Sequence, residues 1–208
     1  MATRAIFPLG AVLFPHMPLR LRVFEERYLM MLSDLVAAGD VSFGVVLIER
    51  GHEVGGGDHR FRVGTLAEVT EIGAQDGFVG LLAQGTERFE VLDWLPDVPH
   101  PQADVRRLDD LVWEDALEPL RRDAELVVRR ALTLASEFEG HVWPADTELS
   151  SDPLAAVWQL AAIAPVSELD QVRLLRSRTV EELLQAVIDL TTEAAAAYEA
   201  PWPESPPD

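Results

Sequence analysis

The residues with the most obvious chemical potential are two histidines, His52 and His59, which flank a glycine-rich stretch that also carries Glu53 and Asp58. Imidazole and carboxylate ligands at converging positions are what a metal ion requires. Such ligands also need a scaffold that fixes their geometry. Gly51, Gly55, Gly56 and Gly57 make this stretch a hairpin tip instead, and the solvated reading is preferred. His100 and His141 stand singly beside Pro101 and Trp143, where packing or surface roles are expected. No Gly-x-Ser-x-Gly elbow presents a serine nucleophile. The acidic residues are spread over helical faces rather than paired, so they read as solvated surface.

Two absences remove whole mechanisms. The chain has no cysteine, which excludes disulfides, thiolate nucleophiles and cysteine-based zinc sites. It has no lysine either, since all 17 basic residues are arginine. A P-loop, a Schiff base and a Ser-Lys dyad each need that amine. No catalytic residue, metal or cofactor is therefore expected, and the chain reads as a binding protein without enzymatic activity.

The binding candidates are Phe14, His16, Met17, Phe24 and Arg27. In Phe14-Pro15-His16-Met17-Pro18 the two prolines limit backbone pairing while large side chains remain. If exposed, Phe14 and Met17 form an adaptable apolar patch suited to unfolded segments. Alternatively they plug one end of a barrel. Arg27 either anchors a peptide carboxylate or carbonyl, or pairs with a nearby strand or loop. Glu25 beside it favours the positive end of a helix.

Bulk properties narrow the partners. The 208 residues suffice for one large or two small domains, and 48% are hydrophobic, a globular composition. The net charge is −19. Residues 1–110 hold 10 arginines against 17 acids, and residues 111–208 hold 7 against 19. Neither half carries the basic surplus that drives binding to phosphate backbones, so nucleic acid and anionic membranes are excluded as partners. No apolar run approaches the ~20 residues of a membrane span, and the N-terminus lacks the features of a signal peptide. A cytoplasmic location is the expectation, with a monomer or weak dimer as the assembly.

These residues must be positioned by two kinds of structure. The first half shows short strands: Ile6–Leu9, Leu19–Val23, Phe43–Ile48, Phe61–Val69, Phe78–Ala83, Phe89–Trp94 and Ala103–Arg107. Phe24, Tyr28, Met31, Leu32 and Leu35 recur at helical spacing and predict one inserted helix, ended by Gly39. Asp76-Gly77 predicts a tight turn. The second half turns helical. A stripe runs from Leu120 to Phe138, Asp152-Pro153 opens a helix, and Ser167 and Thr179 begin capping boxes. Trp113, Trp143 and Trp158 are expected to pack this bundle against the strands. The proline-rich residues 201–208 are expected to be a disordered tail.

In order along the chain come Ile6-Phe7-Pro8-Leu9-Gly10, Val12-Leu13-Phe14-Pro15, Leu19 and Phe24-Glu25-Glu26-Arg27-Tyr28. Phe43-Gly44-Val45-Val46, Val63-Gly64-Thr65-Leu66-Ala67 and Gly85-Thr86-Glu87-Arg88-Phe89 follow, and then Trp158-Gln159-Leu160-Ala161 and Gln171-Val172-Arg173-Leu174-Leu175. This series resembles the Lon protease N-terminal domain over nearly the whole chain. The resemblance implies an α+β fold: a PUA-like β-barrel of short, mostly antiparallel strands over residues 1–110, then a helical bundle over 111–200. It implies a substrate-binding role, without the ATPase and peptidase parts that accompany it in Lon proteases. The leading functional expectation is a non-catalytic module that recognises exposed peptide segments or a protein partner, as an adaptor for proteolysis. The alternative is a sensor of a small molecule or modified residue, with its pocket in the barrel or between the two parts.

Overall fold

In the computed structural model, residues 2–48, 60–138 and 142–199 are described. The elements run β1 (Ala2–Leu9), β2 (Pro18–Val23), α1 (Glu26–Ala38), β3 (Ser42–Ile48), β4 (Arg60–Gln75), β5 (Phe78–Trp94) and β6 (Gln102–Arg107). A short 3-10 turn at Asp115–Leu117 leads into α2 (Glu118–Ala135), α3 (Pro153–Ile163), α4 (Glu168–Leu175) and α5 (Val180–Glu199). This is the expected mixed α+β organisation. His52, His59, His141 and the tail at 201–208 lie outside the described residues.

The six strands form one sheet in the order β2-β5-β4-β3-β1-β6, and β6 also pairs with β5. Of its pairings only β1 with β3 is parallel. The sheet bends back on itself, but it is not a clean barrel. Its closure uses only the C-terminal part of β5, where Phe89 to Trp94 face Arg107 to Ala103. The N-terminal part of the same strand, Val79 to Gln84, faces β2 instead.

The two expected strands on either side of Gly85 are therefore one strand of 17 residues. A glycine in a strand reads as an interruption because it offers no side chain to pack. Here it permits a close approach: a Cβ at Gly85 would collide with the backbone carbonyl oxygen of Phe14. β5 continues because β4 pairs with it on both sides of this point, with a register shift between Thr65 and Ala67.

Local chemistry sets the helix ends. Gly39 takes φ 71° after α1, and its N–H bonds to the carbonyl of Val36. The Asp152 carboxylate accepts the N–H of Ala155 at 2.7 Å, with Pro153 opening α3. The Ser167 hydroxyl accepts the N–H of Asp170 at 3.2 Å and donates to the Asp170 carboxylate at 2.7 Å. At α5 the Thr179 hydroxyl accepts the N–H of Glu182, whose carboxylate reaches one residue further back, to the N–H of Arg178.

Three buried clusters follow. One joins α1 to the inner face of β1, β3 and β5, with Phe7 stacked on Tyr28 at 4.0 Å. A second, around Ile6, Phe89 and Val105, lies among the strands. The third and largest fills the helical half and takes in Phe14, Leu47 and Val63 from the sheet half. Trp158 packs between the halves as expected, its ring 6.1 Å from that of Phe14. Trp143 does not: it is 46% exposed. Phe138, the end of the α2 stripe, is also largely exposed but stacks on Tyr198.

Candidate functional site

The segment between β1 and β2 is held from three sides. Phe14-Pro15-His16-Met17 is a tight turn: the N–H of Met17 reaches the carbonyl of Phe14 at 3.3 Å, proline holds the second position and His16 takes φ 62° at the third. That is the pattern of a type II turn, whose third position favours glycine. The His16 N–H donates to the carbonyl of Gly85 at 2.8 Å, and the Gly85 N–H donates to the carbonyl of Met17 at 2.9 Å. One residue earlier, the buried Thr65 hydroxyl donates to the carbonyl of Leu13 at 2.6 Å. A non-glycine residue is kept at positive φ only when its surroundings over-determine it, and these bonds do so.

The structure divides the five candidate residues. Phe14 is 1% exposed and belongs to the core, so it offers no apolar surface. The plug reading describes it, with Trp158 as the surface it seals against. Met17 is half-buried and packs on two of the clusters. His16 and Pro15 line a cleft of about 460 Å³ whose opposite wall includes Leu154 and Trp158. Phe24 is 68% exposed, immediately before α1. Arg27 pairs with Glu25 at 2.9 Å, and its guanidinium lies 4.6 Å from the Tyr28 ring centre. Burial raises the Tyr28 pKa, against the lowering effect of the Arg27 charge.

Between these groups runs β2, six residues spanning about 20 Å. His16 and Met17 precede its first residue, and Phe24 follows its last. The five candidates therefore do not form one pocket; they mark the two ends of a strand. Among the described residues β2 is the only strand with a single partner, β5, so its other edge is open. Arg20 and Arg22 are exposed on it, alternating with the half-buried Leu19 and Leu21. A shallow groove of about 800 Å³ lies over this region, bounded by Arg20, Arg22, Ile72 and Phe78. Arg22 sits 5.2 Å from the Phe78 ring centre, whereas Arg20 has no partner among the described residues.

Sequence reasoning missed the most constrained charged group. Arg88 of β5 is 5% exposed. Its Nη1 donates to the carbonyls of Leu175 at 2.9 Å and Ser177 at 2.6 Å, and its Nη2 donates to that of Asp109 at 2.6 Å. The guanidinium also lies 4.9 Å from the Trp158 ring centre. Burial lowers its pKa, offset in part by the charges of Asp110, Asp109 and Glu182. The group ties the sheet to the α4–α5 turn. The Gly85-to-Phe89 motif contained it, but nothing local shows that an arginine there is buried.

His100 is also buried, with Nδ1 3.2 Å from the carbonyl of Pro101 and Nε2 3.8 Å from the Asp34 carboxylate. Among the described residues no group of three or more His, Asp or Glu side chains is placed to hold a metal ion. No helix of these residues is long and apolar enough to cross a membrane.

This irregularly closed sheet, joined through a shared core to a helical bundle, is a fold similar to that of solved Lon N-terminal domains. The crystal structure of a Lon N-terminal domain protein from Xanthomonas campestris is similar with a TM-score of 0.66 at 25% identity, covering 91% of this chain and 98% of that one. The N-terminal domain of the Mycobacterium avium complex Lon protease gives 0.62 at 14% identity, with 92% and 99% covered, and supports the fold alone. The chain belongs to the family described as the ATP-dependent protease La (LON) substrate-binding domain, which matches residues 3–193. The Lon protease of Heliobacterium modesticaldum (strain ATCC 51547 / Ice1) is 23% identical over 192 residues, and that of Syntrophus aciditrophicus (strain SB) 24% over 183. The alignments take 87% and 85% of this chain but only 22% and 23% of those proteins, so the chain spans less than a quarter of their length.

Proposed function

We propose that this chain is a non-catalytic module of the cytoplasm that captures exposed, extended segments of other polypeptides and delivers them to a protease as an adaptor. The captured segment adds as a strand along the open edge of β2. It meets His16 and Met17 at one end and Phe24 and Arg27 at the other. Neither nucleic acid nor membrane is a partner in this reading, and the module works as a monomer or weak dimer.

One observation carries the reading: β2 alone among the described strands lacks a second neighbour. An unpaired edge supplies main-chain donors and acceptors for any extended segment, and side chains at alternate positions add preference. Natural edges are commonly protected by charge and proline. Pro18, Arg20 and Arg22 provide that protection against neutral strands. The same arginines favour a segment with acidic residues at alternate positions, and the unpartnered Arg20 is the first to gain from it. Phe24 would cover an apolar residue of the segment.

The test is hydrogen–deuterium exchange of the chain with and without a permanently unfolded probe protein. Added protection within residues 19–23 is the expected result. Binding without that protection would sink the strand-addition reading. His16→Gly provides a second measure, because it relieves the positive φ while removing the imidazole. It should raise the melting temperature and weaken the probe.

A further inference from the structure

A second cleft, of about 370 Å³, lies where the end of the sheet meets the α4–α5 turn. Its lining has a charge opposite to that of the molecule. In a chain of net charge −19, five of the 17 arginines surround it: Arg62, Arg88, Arg106, Arg176 and Arg178. Glu90 and Asp109 oppose them in the lining, and Asp110 and Glu182 act on Arg88 from just outside it, which leaves a local excess of one positive charge.

Not all five are free. Arg88 is spent on carbonyls, Arg62 donates to the carbonyl of Leu92 at 2.7 Å, and Arg106 pairs with Glu90. Arg176 and Arg178 differ. Acids outnumber arginines about two to one in this chain, yet neither guanidinium has a partner among the described residues. Between them Ser177 is 3% exposed and lines the cleft. Arg88 fixes the turn by holding the carbonyls of Leu175 and Ser177, so these three side chains stand on a rigid base. The 20-residue α5 begins just beyond, with Glu181 and Glu182 in its first turn and the Glu182 carboxylate already on the N–H of Arg178.

We propose that this cleft binds a phosphate monoester, with Arg176 and Arg178 on the phosphate oxygens and the Ser177 hydroxyl donating to a third. Guanidinium forks suit a tetrahedral dianion, which offers several oxygens to donors arriving from different sides. The two unpartnered guanidinium groups match a dianion better than the single charge of a carboxylate. The cleft volume leaves room for the group that carries the phosphate. The site gives the sensor reading a ligand class, and it is independent of strand addition at β2.

Calorimetric titration of the full chain at low salt tests it, with inorganic phosphate, a nucleoside monophosphate, a serine-phosphorylated peptide and acetate as probes. Saturable binding of the phosphate compounds is expected, with acetate much weaker. A tighter nucleoside monophosphate identifies a free metabolite as the source, and a tighter phosphopeptide identifies a modified segment; both support the site. Arg176→Ala/Arg178→Ala should weaken phosphate binding roughly tenfold or more. The charge-matched control Arg122→Ala/Arg173→Ala, which alters exposed arginines outside the cleft, should leave it unchanged. Absence of saturable binding, acetate equal to phosphate, or equal losses in the two double variants would overturn the assignment. Melting curves of both variants confirm that the fold is kept, and the unfolded-protein probe should bind both as it binds the parent.

Discussion

The sheet half and the helical half bury their apolar residues on different terms. The sheet half closes two clusters with its own strands and α1. The helical half does not close its cluster alone: Phe14, Leu47 and Val63 enter it from the other side. Its charged anchor, Arg88, is also supplied by the sheet. The helices thus depend on the strands more than the strands depend on the helices, and the residues at the junction should be the most sensitive in the molecule.

Phe14→Ala is the strongest way to break this asymmetry. It empties a fully buried aromatic site against Trp158 and should cost about 4 kcal/mol. Denaturant unfolding followed by near-ultraviolet and far-ultraviolet dichroism should show the loss in a single transition; two separated transitions would mean the halves fold independently. Arg88→Met keeps the length but strands three carbonyls, and a loss of about 3 kcal/mol is expected from chemical denaturation. The loss should appear as faster amide exchange at residues 174–178, with β1 and β3 spared. Asp152→Ala removes a cap inside the helical half only and should cost about 1 kcal/mol, read from the thermal midpoint.

The smallest effect concerns surface charge and should not discriminate between the halves. Hydrogen bonds from Ser42 and Arg4 lower the Asp40 pKa, and Arg60 lowers that of Asp97. Arg121 and Arg122 hold Glu118 down at about 2. Each carboxylate is more acidic folded than unfolded. The stabilisation is therefore fully present above the ordinary carboxylate range and is lost as pH falls through the lowered values. Melting temperatures should hold between pH 7 and 5 and fall towards pH 2, and added salt should flatten the decline.

Features governed by neighbours in sequence were legible in the sequence itself. Gly39, Asp152 and Ser167 cap helices where their local patterns predict, because a cap is an interaction over a few residues. Features governed by distant partners were not. β5 runs through Gly85 because β4 pairs on both sides of it, and Phe14 is buried because α3 brings Trp158 to it. The candidate site was legible only as fragments. Phe14-to-Met17 and Phe24-to-Arg27 stood out as separate segments, but the open strand edge between them depends on β6 closing elsewhere. The basic cleft was hidden for the same reason: Arg62 and Arg106 lie on separate strands and Arg176 and Arg178 on the α4–α5 turn, and whole-half charge totals mask a local reversal of sign.

The position of β1 has a consequence for synthesis. This strand lies between β3, which follows it closely in sequence, and β6, whose partner residues begin at Gln102. On a ribosome adding about 5–20 residues per second, β1 and β3 emerge several seconds before β6. During that interval the nascent chain exposes a second strand edge that the finished protein hides. A nascent chain stalled before β6 should therefore be a better client for a chaperone than one stalled just after it.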